Sequence, residues 1–129
     1  MDYLNQVILG DCVKVMTEMP ANIISLTCTS PPYGEIRNYN GSLEWNFDIF
    51  KQVADQLWRI TKQGGVVVWV VGDQTIKGSE SGDSFRQALY FKEIGFNLHD
   101  TMIYQKQGLN FTPKNKYYST FEYMFVFSK

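Results

Sequence analysis

Residues 66–71, Val-Val-Val-Trp-Val-Val, form six apolar positions without a polar break. A half-solvated strand alternates apolar with polar residues, so an unbroken run fits a strand covered on both faces, as in a parallel sheet layered between helices. Gly72-Asp73 closes the run. Before it, residues 46–62 place Phe47, Phe50, Ala54, Leu57 and Trp58 on one face at helical spacing. That segment reads as an amphipathic helix ended by Gly64-Gly65.

The flanking segments repeat the alternation. Residues 4–9, with Val7-Ile8-Leu9 ahead of Gly10-Asp11, read as a strand. Residues 12–19 read as a short helix with Val13 and Met16 inward, stopped by Pro20. Asp11 is placed to cap that helix through its carboxylate. Residues 23–29 are rich in β-branched side chains and predict a strand. Residues 34–45 and 74–83 read as loops, and residues 84–94 as a helix with Phe85, Ala88 and Leu89 inward and Gly95 as its stop. Residues 98–106 and 120–128 predict two strands, expected to pair antiparallel across a loop at 107–117. In the second, Phe121, Tyr123, Phe125 and Phe127 alternate with Glu122, Met124 and Val126.

The order β-α-β-α-β-α-β-β predicts an α/β fold, an open and mostly parallel sheet with helices on both faces and a C-terminal antiparallel hairpin. Its 129 residues, 44% of them hydrophobic, suit one domain over 1–129 with a real core. In such sheets ligands bind beyond the carboxyl ends of the strands. Asp11, residues 30–34 and Gly72-Asp73 all fall there.

Several function classes drop out. The net charge is −1, whereas an autonomous duplex binder carries a basic surplus, so any DNA contact has to be a local patch. Cys12 and Cys28 lie in or beside apolar segments without a Cys-x-x-Cys pair, and read as reduced, buried residues of a cytoplasmic protein. His99 is the only histidine, so no His-rich metal site is expected. No apolar stretch approaches the roughly 20 residues that cross a bilayer. Met1-Asp2-Tyr3 opens without the basic and apolar regions of a signal peptide.

Thr29-Ser30-Pro31-Pro32-Tyr33 carries the chemistry. Two consecutive prolines fix φ and remove two backbone donors, and Ser30 is driven toward an extended conformation by the proline after it. The product is a stiff corner with an outward hydroxyl, bare carbonyls and a following ring. Ser30 Oγ and the Pro31 carbonyl suit the two hydrogens of an amino group attached to a flat ring, and Tyr33 suits stacking on that ring. A base can reach such a corner only after leaving its duplex. An ordinary strand-to-helix turn accounts for the prolines equally well when they are taken alone.

Gly10-Asp11-Cys12, Thr29 through Gly34 and Ile36-Arg37-Asn38-Tyr39, in that order, resemble the beta group of DNA amino-methyltransferases. Gly64-Gly65-Val66-Val67-Val68 and residues 121–127 are similar to later family segments. The resemblance implies a Rossmann-like methyltransferase fold and transfer of a methyl from S-adenosyl-L-methionine to cytosine N4 or adenine N6 of a flipped base. It implies a catalytic role for Ser30, Pro31, Pro32 and Tyr33. It implies cofactor contacts from Asp11, Thr29 and Gly34, and DNA contacts from Arg37, Tyr39, Lys114 and Lys116, with no metal. Serine at the first tetrapeptide position favours cytosine.

The chain departs from that pattern in one respect. The Asp-Pro-Phe-x-Gly-x-Gly type segment that cradles the methionine part of the cofactor is absent, and the nearest glycines are Gly72, Gly78 and Gly82. The strands carrying the cofactor loop and the recognition domain are absent as well. The expectation is therefore a catalytic half with an incomplete cofactor site, completed by a missing C-terminal half or a second subunit. The alternative is an inactive remnant that binds a partner or oligomerises through an open sheet edge.

Overall fold

The computed structural model describes residues 3–33, 45–108, 116–117 and 119–129. Three helices are present among them, α1 (Cys12–Glu18), α2 (Phe47–Ile60) and α3 (Asp83–Glu93). Four long strands, β1 (Ile24–Thr29), β2 (Thr61–Val71), β5 (Asn97–Gln105) and β6 (Phe121–Ser128), form one sheet in the order β1-β2-β6-β5. Strands β3 (Thr75–Ile76) and β4 (Ser79–Glu80) make a separate small hairpin.

Strands β1 and β2 pair in parallel, whereas β6 runs antiparallel to both β2 and β5. Three of the four strands thus point one way and β6 opposes them. The mostly parallel sheet and the antiparallel C-terminal pair both match the sequence pattern. What the pattern does not reveal is that β6 inserts beside β2 and pushes β5 to the outer edge.

The core lies against one face of this sheet. Val67, Trp69 and Val71 of β2 and Phe125 and Phe127 of β6 are buried there under Phe50, Ala54 and Leu57 of α2 and Ala88 and Phe91 of α3. Trp69 packs against Phe50 at a tilt and meets Phe91 edge-on, with ring centroids 5.8 and 5.1 Å away. Its indole N–H donates to Gln87 Oε1 at 2.8 Å, so the one polar atom of the ring is satisfied inside the core. Helix α2 starts cleanly because the Asn46 side chain accepts from the Ile49 amide at 2.9 Å.

Several sequence expectations need correction. Among the described residues, helices cover residues 66–71 on one face only, where cover on both is expected. Val66, Val68 and Val70 alternate with the buried positions and are half-buried, and both α2 and α3 lie on the Trp69 face. Cys28 pairs with Val68, on the face that lacks a helix among the described residues, and it is exposed rather than buried. Cys12 opens α1, a helix with no buried residue, and is exposed too. Partial burial, and then the neighbouring Asp11 charge, push its thiol pKa up.

Residues 4–9 form no strand. Asn5 has a positive φ of 56°, which breaks the extended path, and Val7 and Leu9 face solvent. In α3 the buried face is Ser84, Gln87, Ala88 and Phe91, while Phe85 and Leu89 are exposed. The polar residues win those inward positions because each has a hydrogen-bond partner there, buried Trp69 for Gln87 and half-buried Asp73 for Ser84. The loop expected at 74–83 contains the β3–β4 hairpin, turned by Lys77 and Gly78 at positive φ of 50° and 79°.

Gly64-Gly65 does not end α2, since β2 begins directly at Thr61. The glycines instead sit in a bulge, where β2 advances from Thr61 to Val66 while β1 advances only from Ile24 to Leu26. A Cβ on Gly65 would lie 2.7 Å from Thr61 Cγ2, 2.9 Å from the Lys62 carbonyl and 3.1 Å from the Ile24 carbonyl. Two of those neighbours are backbone and cannot rotate away. Gly65→Ala is therefore expected to destabilise the domain by about 1–3 kcal/mol, the usual cost of overpacking. Urea unfolding followed by tryptophan fluorescence checks this, and an unchanged midpoint would contradict the crowded bulge.

Candidate active site

The parallel pairing of β1 with β2 brings two strand ends to one rim. Thr29, the last residue of β1, pairs with Trp69 of β2, and β2 ends two residues later at Val71. The antiparallel register adds the start of β6, with Tyr123 opposite Val71 and Gln105 opposite Phe121. The end of β5 thereby reaches the same rim.

Ser30-Pro31-Pro32-Tyr33 leaves β1 at this point. Ser30 is exposed, Pro31 is buried, and Pro32 and Tyr33 are half-buried. The hydroxyl and the ring of the corner thus stand at the surface while its first proline is packed down. The Tyr33 ring passes over Gly72, where an added Cβ would touch the ring at 3.6 Å and the Glu122 stem at 3.7 Å.

From there Tyr33 reaches across the sheet. Its hydroxyl donates to Glu122 Oε2 at 2.8 Å and accepts from Ser30 Oγ at 3.0 Å. The other oxygen of Glu122 is ion-paired with Lys106, just past the end of β5. Glu122 is 11% exposed and Lys106 45% exposed at the side chain. One connected chain of polar groups therefore draws on β1, β6 and β5 and lies over the end of β2. Sequence pattern alone does not single out Glu122 or Lys106. The one available signal is that Glu122 is the sole charged residue in the otherwise apolar run 121–127.

The other expected site residues fall as follows. Asp11 caps α1, its carboxylate accepting from the Lys14 amide at 3.0 Å, and is exposed. Thr29 is exposed at the end of β1. Lys116 is described and exposed. Gly34, Arg37, Tyr39 and Lys114 lie outside the described residues. No group of three or more metal-ligating side chains occurs among the described residues. His99 is exposed on β5 beside Asp100, with Nδ1 2.9 Å from that carboxylate.

The residues present do not by themselves make a seat for S-adenosyl-L-methionine. Gly72, the one glycine on the rim among the described residues, has the Tyr33 ring and the Glu122 stem packed in front of it, so no backbone cradle is open there. Gly78 and Gly82 belong to the β3–β4 hairpin turn and the start of α3.

The match to a family model of DNA methylases covers residues 24–129, which includes every strand and the diproline corner. The chain belongs to this DNA methylase family. Orphan methyltransferase M.BamHII of Bacillus amyloliquefaciens is 60% identical over 121 residues, covering 94% of this chain and 40% of the relative. Type II beta methyltransferase M.BslI of Bacillus sp. (strain NEB-606) is 27% identical, over 96% of this chain and 16% of the relative. The chain thus spans about two-fifths or less of these two curated relatives.

Solved structures agree on the Rossmann-like architecture. PvuII DNA methyltransferase, described as cytosine-N4-specific, superposes with a TM-score of 0.76 at 25% identity, over 93% of this chain and 47% of its own. TTHA0409 of Thermus thermophilus, solved in complex with S-adenosyl-L-methionine, gives a TM-score of 0.72 at 23% identity, over 94% of this chain and 54% of its own.

Asp73, next to Gly72, fixes this rim to α3. Its carboxylate accepts from Ser81 Oγ at 3.1 Å, from the Ser84 amide at 3.0 Å and from Ser84 Oγ. Ser84 is fully buried, so Asp73→Ala strands a buried amide and a buried hydroxyl. The expected cost is about 1–3 kcal/mol per stranded group, read by chemical denaturation, with Asp73→Asn intermediate. A variant as stable as the parent would rule out this capping role.

Proposed function

We propose that this chain is the catalytic part of an S-adenosyl-L-methionine-dependent DNA methyltransferase acting on the exocyclic amino group of a flipped base, with cytosine N4 favoured. The observation that carries this reading is the exposed Ser30 hydroxyl and half-buried Tyr33 ring on a diproline corner at the parallel strand ends. Ser30 Oγ and the Pro31 carbonyl accept the two amino hydrogens, which turns the nitrogen lone pair outward. Tyr33 offers its ring as a stacking surface for the base. Positioning of this kind supplies most of the rate in such a transfer. S-adenosyl-L-methionine supplies the methyl group when bound. Cytosine is favoured by the serine that begins the tetrapeptide and by the likeness to an enzyme described as cytosine-N4-specific. Adenine N6 is the alternative base.

The cofactor cradle belongs, in this reading, to polypeptide equivalent to the remaining three-fifths of the M.BamHII relative, supplied in cis or by a second chain. The half-covered sheet supports that assignment. Leu26, 61% exposed, flanks half-buried Val66, Val68 and Val70, and β1 is an edge strand. A strand apolar on both sides is built for a second cover. The same open face favours the second reading, an inactive remnant that serves as a binding or oligomerising module. Asp11 and Thr29 approach the cofactor from this chain, and Lys116 contributes to DNA contact.

The test is methyl transfer from labelled S-adenosyl-L-methionine to DNA, by the chain alone and with the complementing segment of that relative. The chain alone is expected to show neither turnover nor tight calorimetric binding of the cofactor. Complementation restores transfer, and Ser30→Ala and Tyr33→Ala abolish it without unfolding the chain. Full activity in both variants would refute the assigned roles. The face itself has a separate check. In a Cys12→Ser background, Cys28 is expected to react readily with a maleimide in the isolated chain and to be shielded once the complementing segment is added. Equal labelling in both states would place the second cover elsewhere.

A further inference from the structure

Hydrogen-bond bookkeeping along the rim leads past the corner itself. A carboxylate oxygen can only accept, a phenol has one proton to give, and a serine hydroxyl also has one. Glu122 Oε2 lies 2.8 Å from the Tyr33 hydroxyl, so the tyrosine proton is committed to the glutamate. The Tyr33 oxygen is left as an acceptor for Ser30 Oγ at 3.0 Å, which commits the serine proton in turn. Lys106 holds the other Glu122 oxygen, and the glutamate side chain is only 11% exposed, so little water competes for it. What Ser30 then presents outward is lone pairs.

We propose that Glu122, anchored by Lys106, is a positioning residue that sets the direction of hydrogen bonding through Tyr33 and so keeps Ser30 Oγ an acceptor toward substrate. This rests on the reading of Ser30 as the partner of a base amino group. An amino group is a donor, and a serine free to turn its own proton outward would meet it donor to donor. The carboxylate removes that choice. A purely structural role, in which Glu122 only ties the corner to β6, predicts that any isosteric polar side chain suffices. The directional role predicts the opposite. In Glu122→Gln, Lys106 takes the amide oxygen and the amide N–H faces Tyr33. Tyr33 then accepts from residue 122 and donates to Ser30, whose proton swings out.

Neutron diffraction from crystals of the chain reads the direction without any need for activity. In the parent, the Tyr33 proton is expected toward Glu122 and the Ser30 proton toward Tyr33, with both reversed in Glu122→Gln. A parent Ser30 proton pointing away from Tyr33 overturns the proposal. In the complemented enzyme, Glu122→Gln is expected to lower kcat at least about tenfold, the size of one misdirected hydrogen bond, while KM for DNA stays within about threefold. Glu122→Asp restores part of the rate. Undiminished kcat in Glu122→Gln overturns the proposal. Failure of the complemented parent to methylate DNA would instead sink the functional reading, and the neutron result would still decide the polarity.

Discussion

Backbone pairing on both sides of β2 decides where every candidate side chain lies. Parallel pairing with β1 carries the diproline corner to the end of β2, and antiparallel pairing with β6 brings Glu122 to the same place from the opposite chain direction. A one-residue slip in either register would send Glu122 or the strand-end residues to the other face of the sheet. The core enforces that register, because Val67, Trp69 and Val71 are buried under α2 and α3 together with Phe125 and Phe127 of β6. Packing distant along the chain from the corner thus fixes a hydrogen bond of 2.8 Å at the rim.

The rim chain of Ser30, Tyr33, Glu122 and Lys106 also explains why the corner is stiff at both ends. The prolines restrict the backbone, and the tyrosine is held by its hydroxyl as well as by its ring on Gly72. Little conformational entropy is left to lose when a planar substrate arrives, which is how a preorganised site saves binding free energy. The charged pair beneath it is half withdrawn from solvent, so its worth lies in orientation more than in stability.

Much of this is legible in the sequence, and most of the exceptions share a cause. Helix α2, the parallel β1–β2 start, the antiparallel C-terminal pair and the diproline corner all follow from local periodicity and stereochemistry. Apart from residues 4–9, where the backbone turns locally at Asn5, the differences arise where distant parts of the chain decide what the local pattern leaves open. Phe85 and Leu89 look like the inner face of α3, but Trp69 and Asp73 recruit Gln87 and Ser84 inward instead. Gly64-Gly65 looks like a helix stop, but the crowding that demands it comes in part from Ile24 on the neighbouring strand. Cys28 looks buried because its strand is apolar, yet burial depends on a covering layer, and none lies over it among the described residues. Glu122 escaped notice for the same reason, since its meaning depends on Tyr33, 89 positions away.

The carboxylate of Asp73 has a dynamic consequence. It gathers the Ser81 hydroxyl beside the small hairpin and both the amide and the hydroxyl of Ser84 in the first turn of α3. A helix end normally frays residue by residue, but here three donors converge on one carboxylate, and its departure frees all of them. Displacement of the Asp73 carboxylate thus loosens the hairpin and the helix start together. Amide exchange at Ser84 becomes a reporter of it, slow while the carboxylate holds that amide and fast once it withdraws.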